Sequence, residues 1–155
     1  MTTMENDEAV DGELVIVRVF DAPRALVWSA WTEGERIRHW SAPHGYEITH
    51  GEGEARPGGA WRSCMRSPEG HELWLGGVYR EVVPGERLSF THAWEGDDGR
   101  PGPETLVTVE LADADDGKTR MTFRQTGFTS VVTREGHRGG WEQSFERLDD
   151  FLSDA

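Results

Sequence analysis

The chain has 155 residues, and its 29 acidic against 16 basic side chains give a formal net charge of −13 at pH 7. Surfaces that bind nucleic acid or anionic lipid carry clustered positive charge, so we expect no nucleic acid and no membrane as a partner. Cys64 is the single cysteine, which excludes an intrachain disulfide. The length suits one domain, and with neither a long apolar run nor a signal peptide in the sequence we expect a cytoplasmic protein.

The N-terminal part of the chain predicts a lead-in followed by a strand. Residues 1–12 are acidic and polar, and we expect a disordered segment there, followed by a single domain over residues 13–155. Residues 14–20 are rich in β-branched side chains and predict the first strand. Because this apolar run is nearly continuous, it predicts a central strand or one covered on both faces.

Two short helices are predicted after this strand. Pro23 suits the first position of a helix that ends near Trp31. Proline has no N–H group, and a residue at this position has no partner for one within the helix. Thr32 and Glu35 match the capping box Thr-x-x-Glu, which predicts the start of a second helix that carries Trp40.

From residue 46 to residue 125 the apolar residues recur with a period of two, which is typical of strands with one buried face. Turn signals divide this region into six predicted strands, with breaks at residues 56–59, 67–70, 83–86, 96–103 and 114–117. In the strand after the third break, Phe90, His92 and Trp94 share one face. The pattern predicts an antiparallel meander.

The last part of the chain returns to a helical period. From about Arg134 the large apolar residues form one stripe of a long amphipathic helix, namely Trp141, Phe145, Leu148, Phe151 and Leu152. The predicted fold class is therefore α+β, in the order β-α-α-β6-α. A curved antiparallel sheet wrapped around the long C-terminal helix satisfies this order, because the helix covers the apolar face of the sheet.

Chemical motifs are scarce in the sequence. Gly51-Glu52-Gly53 begins like a dinucleotide fingerprint, but Arg56 stands where the third glycine belongs. His71-Glu72 lacks the second histidine of a zinc motif. Cys64 is expected to be a small hydrophobic residue in the sheet rather than a nucleophile, because no histidine with an orienting partner can be placed beside it. We expect no cofactor, no metal and no catalytic residues.

The histidines give one candidate for a polar site residue. Five of them fall near turns or helix ends, where exposure to solvent is expected: His39, His44, His50, His71 and His137. His92 differs because it shares a strand face with Phe90 and Trp94. It is either a core histidine with its hydrogen bonds satisfied or a polar group that lines a cavity.

Large aromatic residues are the strongest functional signal in the sequence. The pattern sends many of them, together with one methionine, to the space between sheet and helix: Trp61, Met65, Trp74, Phe90, Trp94, Phe123, Trp141 and Phe145. They form either a plain core of large side chains or the walls of a cavity for an apolar ligand.

Ordered blocks of sequence run through the chain: Phe20-Asp21-Ala22-Pro23, Val27-Trp28-Ser29-Ala30-Trp31-Thr32, Trp40-Ser41-Ala42-Pro43, Arg56-Pro57-Gly58-Gly59 and Gly140-Trp141. From about Glu13 to the C-terminus the chain resembles bacterial proteins related to the C-terminal domain of the Hsp90 ATPase activator. These proteins share the helix-grip fold of the superfamily that includes START domains, the birch-pollen allergen fold and polyketide cyclases. The resemblance implies a cavity between sheet and helix that takes a hydrophobic small molecule. Ser41 departs from the family, which often has a second tryptophan there, so the cavity mouth is expected to differ.

The first functional hypothesis is a binding protein for a small hydrophobic or aromatic molecule. The aromatic set would form the walls of its site, and His92 and Tyr79 would be polar anchors. The two short helices near Trp40 would act as a lid, and Trp40 itself is among the expected ligand-binding residues. The sequence leaves open whether the protein is a monomer or a homodimer.

Two alternatives remain open. A cyclase-like or hydrolase-like enzyme would use His92 as a general acid or base in the same cavity. The sequence places no acidic residue clearly on the inner face, so we expect a binding protein rather than an enzyme. A chaperone regulator would act through its outer surface, where an acidic protein can dock on a basic patch. Only residues 1–12 precede the predicted fold, so we expect the activator's separate N-terminal domain to be missing.

Overall fold

A computed structural model describes residues 13–154 as one seven-stranded sheet with three α-helices. The strands are β1 Leu14–Phe20, β2 Glu47–Gly53, β3 Ala60–Arg66, β4 Glu72–Val83, β5 Arg87–Trp94, β6 Thr105–Asp113 and β7 Thr119–Thr126. The helices are α1 Arg24–Thr32, α2 Gly34–Ile37 and α3 Val131–Ser153. The predicted α+β class and element order are confirmed. The predicted lead-in over residues 1–12 lies outside the described residues.

All neighbouring strands are antiparallel, in the order β1-β7-β6-β5-β4-β3-β2. The pairing of β1 with β7 runs from Leu14 opposite Gln125 to Phe20 opposite Thr119. Because β1 and β2 lie at opposite edges of the sheet, the connection through α1 and α2 has to cross it. The curved sheet therefore holds α3 on one face, with α1 and α2 beside it.

The position of β1 corrects one expectation. The apolar run predicted a central or doubly covered strand, but β1 is an edge strand that pairs with β7. Its outward side chains Val17 and Val19 are 57% and 45% exposed. The β-branched residues of β1 reflect strand propensity rather than coverage of both faces.

Both predicted helix starts differ from the structure by one residue. Pro23 has extended backbone angles and is the N-cap residue of α1, which begins at Arg24. The capping box of Thr32 and Glu35 does not form, because the N-cap residue of α2 is Glu33. The Thr32 hydroxyl instead donates a hydrogen bond to the carbonyl of Trp28 in the preceding turn, at 2.9 Å.

All five predicted breaks fall at the junctions between strands of the sheet, and the break at residues 83–86 overlaps only the last residue of β4. Each contains one glycine with positive φ, a conformation that side chains with a Cβ atom disfavour, namely Gly58, Gly70, Gly85, Gly99 and Gly117. The turn chemistry of the sequence therefore gave the strand boundaries.

The main core lies where α1 and α3 pack on β1 and on β5–β7, and the predicted stripe of α3 supplies Phe145, Leu148 and Leu152 to it. A smaller cluster of Ala42, Ile48, Met65 and Leu75 lies beneath β2–β4. Trp61 packs against both clusters. The two clusters leave a space between them, and that space is the candidate site.

Candidate functional site

A cavity of about 620 Å³ lies between β3–β5, the N-terminal half of α3 and the α1–α2 region. Most of the predicted site residues line it: Trp40, Trp61, Met65, Tyr79, Phe90, His92, Trp94 and Trp141. On the side of α2, Gly34, Ile37 and Arg38 border the same space. The volume falls within the usual range for sites that enclose small molecules.

Three predicted site residues do not line the cavity. Phe123 and Phe145 are fully buried in the main core. Trp74 alternates with Leu73 and Leu75, whose side chains do line the cavity, so it lies on the opposite face of β4. The prediction that Trp74 lies on the inner face is therefore corrected.

Four of the five tryptophans that line the cavity donate their indole N–H groups to acceptors of the protein itself. Trp40 donates to the carbonyl of Ala30 at 2.9 Å, and Trp61 donates to the carbonyl of Thr91 at 3.1 Å. Trp94 and Trp141 donate to side chains, as described below. These four rings are therefore fixed in place, and they present apolar surface to the cavity.

Gly77 explains how the Trp61 indole reaches its acceptor. Trp61 on β3 pairs with Gly77 on β4, yet its N–H bonds to Thr91 on the next strand, β5. A Cβ atom on Gly77 would lie only 1.9 Å from the carbonyl oxygen of Thr91. Glycine is therefore required where the ring crosses β4.

A buried network of hydrogen bonds holds Trp141 of α3 in the wall of the cavity. Trp141 donates to Oε1 of Gln125 at 2.8 Å, and Nε2 of Gln125 donates to the Thr105 hydroxyl at 2.8 Å. Thr105 in turn donates to the carbonyl of His92 at 3.1 Å. Sequence reasoning missed Gln125 and Thr105 as site residues. The period of two in β7 was the available signal, because it places Gln125 on the same face as Phe123.

His92 is 5% exposed and lines the cavity. Its ring centroid lies 5.8 Å from that of Trp61, 5.7 Å from those of Trp94 and His137, and 6.1 Å from that of Trp141. Burial, with a smaller contribution from the neighbouring His137, lowers the pKa of His92 from 6.5 to about 3. The imidazole is therefore neutral at neutral pH.

His137 was predicted to face solvent near a helix end, but it lies within α3 and lines the cavity. Its Nδ1 lies 2.9 Å from the carbonyl of Thr133, and its Nε2 accepts the Trp94 indole N–H at 3.1 Å. An indole nitrogen can only donate, so Nε2 carries the lone pair and Nδ1 carries the proton. The four-residue spacing between His137 and Trp141 was the signal for this placement.

Two buried hydroxyl groups also face the cavity, those of Tyr79 and Ser144. Among the described residues, neither hydroxyl takes part in a hydrogen bond. Within residues 13–154, the Trp31 indole nitrogen is the one side-chain nitrogen or oxygen that is both unbonded and sealed from solvent space. The two hydroxyls are unbonded but not sealed, so both reach open space. Burial raises the pKa of Tyr79, which therefore stays a neutral phenol at neutral pH.

Helix α3 faces the cavity with small residues. Gly136, Gly140 and Ser144 are four residues apart, share one face of the helix, and all line the cavity. A Cβ atom on Gly136 would meet nothing within 4 Å, and one on Gly140 would meet only Pro43, at 3.6 Å. The sequence prediction concentrated on large residues and missed this stripe, which leaves the space unfilled.

Charged side chains border the cavity only where they are exposed. Arg38, Glu52 and Arg62 are the charged residues of the lining, and all three are exposed. Arg62 is bonded to both carboxylate oxygens of Glu95, at 2.7 and 2.9 Å, and its guanidinium lies 4.0 Å from the ring centre of Trp74. The buried lining is uncharged.

Residues 13–154 contain no cluster of three or more side chains that could hold a metal ion. In the same part of the chain, none of the helices is both long enough and apolar enough to cross a membrane.

Solved structures share this architecture. A protein from Chromobacterium violaceum is 28% identical with a TM-score of 0.81, covering 90% of this chain and 96% of that one. A solution structure of a protein from Arthrobacter aurescens is 26% identical with a TM-score of 0.83, covering 96% and 88%. The AHSA1 protein from Silicibacter pomeroyi is 23% identical with a TM-score of 0.84, covering 92% and 98%, and shows likeness of fold alone.

A comparison with curated proteins gives no significant match. The family model described as Activator of Hsp90 ATPase homolog 1-like protein matches residues 21–153, which is most of the chain. This chain therefore belongs to the Activator of Hsp90 ATPase homolog 1-like protein family.

Proposed function

We propose that this protein binds a small hydrophobic or aromatic molecule in the cavity between the sheet and α3. The observation that carries the proposal is a space of about 620 Å³ that aromatic rings surround and that the glycines of α3 leave open. A packed core has few voids larger than a water molecule, so a space of this size is a feature of the fold rather than a packing defect. Burying an apolar ligand there gains about 25 cal/mol for each Å² removed from water.

Acid–base chemistry is less well supported than binding. A cyclase-like or hydrolase-like enzyme would need His92 to exchange a proton near neutral pH, but its pKa is lowered to about 3. The rings around His92 belong to Trp61, Trp94, His137 and Trp141, and no carboxylate is among these neighbours. We therefore favour a binding role over catalysis.

Helix α3 offers a matched pair of variants to test binding. Gly136 and Gly139 both lie inside α3, and a Cβ atom on either would meet nothing within 4 Å. Only Gly136 lines the cavity. We expect Gly136→Leu to fill the space and weaken binding of naphthalene, measured by equilibrium dialysis, at least tenfold, whereas Gly139→Leu leaves the affinity unchanged.

Native mass spectrometry of the purified protein complements this comparison, because a co-purified molecule would identify the natural ligand class. Equal naphthalene affinity in both leucine variants would contradict the proposed site. So would the absence of any naphthalene binding by the wild-type protein.

The family description raises a second function, regulation of an Hsp90-type ATPase. Such a role would use the outer surface, where the charge of −13 favours a basic partner. Retention of an Hsp90 homologue on the immobilised protein, lost at high salt, would support it, and stimulation of that partner's ATPase would be the deciding measurement. We also propose a cytoplasmic location, which suits a buried free cysteine.

A further inference from the structure

The cavity wall consists mostly of apolar ring surface, with hydrogen-bonding groups at only a few positions. The indole N–H groups of Trp40, Trp61, Trp94 and Trp141 are all occupied by protein acceptors. Trp31 also lines the cavity, but its unbonded indole nitrogen is sealed from solvent space. The hydrogen-bonding capacity of the buried lining that a ligand can reach therefore belongs to Tyr79, His92 and Ser144, which we call the inner polar groups. A ligand that satisfies them needs a polar group of its own.

Two of the inner polar groups are placed to act on one ligand. Tyr79 on β4 pairs with Phe90 on β5, and His92 is two residues further along β5 on the same face. Diagonal neighbours of this kind lie about 7–8 Å apart. A single polar substituent on a flat molecule lying against Trp61 and Phe90 can therefore reach either group.

The inner polar groups are neutral. Burial keeps the His92 imidazole unprotonated and the Tyr79 phenol protonated at neutral pH. The charged residues of the lining, Arg38, Glu52 and Arg62, are exposed. An ionised group placed beside His92 would lose its water without gaining an opposite charge, which is strongly unfavourable.

We propose that the cavity selects a neutral, flat aromatic molecule with a hydroxyl or carbonyl group, which hydrogen-bonds to Tyr79 and His92. This inference rests on the proposed function and specifies its ligand class. Hydroxyl groups and a neutral imidazole can each donate and accept, so both substituents find a partner in the lining. The ring system of the ligand would lie against the tryptophan and phenylalanine walls.

Three probes of similar size and different polarity test the proposal: naphthalene, 2-naphthol and 2-naphthoate. At neutral pH the first is apolar, the second is neutral with a hydroxyl group, and the third is an anion. In equilibrium dialysis we expect the wild-type protein to bind 2-naphthol about tenfold more tightly than naphthalene, and 2-naphthoate more weakly than both.

Variants that remove single hydrogen-bonding groups assign the preference to residues. Tyr79→Phe and His92→Phe are each expected to lower the ratio of 2-naphthol to naphthalene affinity about threefold to fivefold. His71 is exposed and does not line the cavity. His71→Phe is therefore the matched control for His92→Phe, with an expected change in this ratio below twofold.

The outcomes separate this inference from the proposed function. Equal affinities for naphthalene and 2-naphthol would overturn the inference and leave the binding site standing. Tightest binding of 2-naphthoate would also overturn it, since the anion would then be held at Arg38 on the border. Absence of binding by all three probes would overturn both the inference and the proposed function.

Discussion

His92 links the chemistry of the cavity to the stability of the fold. Its pKa is about 3 in the folded protein, against 6.5 for an ordinary histidine. Between these two values the unfolded chain binds a proton that the folded protein excludes, so the free energy of unfolding falls as the pH falls. The maximum slope from one such group is about 1.4 kcal/mol per pH unit.

This slope predicts a specific difference between variants. We expect His92→Phe to lose stability less steeply than the wild type between pH 6 and pH 4, by about 1 kcal/mol per pH unit, because the variant lacks the excluded proton. Urea denaturation at several pH values measures it. His71 is exposed and provides the control, since His71→Phe should keep the wild-type slope. An unchanged slope in His92→Phe would show that His92 is protonated in the folded protein.

The sequence pattern predicted the position of some site residues correctly and of others wrongly. The period of two correctly placed Phe90, His92 and Trp94 along one wall of the cavity. Trp74 was misplaced because it is as large and apolar as residues of the inner face, although strand alternation puts it on the outer one. Its ring is instead covered by the guanidinium of Arg62, a contact across strands that no local pattern reveals.

At the scale of elements, the strands and turns followed from local chemistry. The exceptions are β1 and the helices, since α2 ends at Ile37 and does not carry Trp40 as predicted. Nothing in the composition of residues 14–20 tells an edge strand from a central one, because that depends on which strand pairs with β1. Helix α3 begins at Val131 rather than near Arg134, because Ser130 caps it by accepting the N–H of Thr133 at 3.0 Å.

The glycines of α3 predict a trade-off between stability and binding. Glycine inside a helix costs about 0.5–1 kcal/mol relative to alanine, and neither Gly136 nor Gly139 has a neighbour that a methyl group would strike. Gly136→Ala and Gly139→Ala should therefore each raise the free energy of unfolding by about that amount in urea denaturation. Only Gly136→Ala is expected to weaken naphthalene binding as well. Destabilisation by either alanine would show that helix propensity does not decide the outcome.

At the scale of the whole molecule, Cys64 reports on unfolding. It is fully buried and does not line the cavity, so a ligand cannot shield it directly. Labelling by a thiol-reactive disulfide reagent should therefore follow opening of the fold, and naphthalene at ten times its Kd should slow the labelling about tenfold. Cys64→Ser is the unreactive control. Labelling that naphthalene and urea leave unchanged would instead indicate local opening of β3.

The overall fold could be predicted only from all the elements taken together. The order of strands and helices, with one amphipathic helix available to cover a sheet, led to a sheet wrapped around α3. The family resemblance implied a cavity, but the pattern of residues alone left a cavity and a filled core open, because it did not reveal that Gly136 and Gly140 of α3 face this space. A list of large residues cannot distinguish a filled interior from a hollow one.

The order of strands also has a consequence for how the chain folds. Strands β2 to β7 follow one another in the sheet as they do in the sequence, so each can pair soon after its predecessor has formed. The pairing of Leu14 with Gln125 instead closes a loop that contains most of the protein. Such distant contacts are entropically costly and form slowly. During synthesis β1 therefore waits for β7, and Leu14 and Phe20, which are fully buried in the folded protein, stay exposed until the last strand leaves the ribosome.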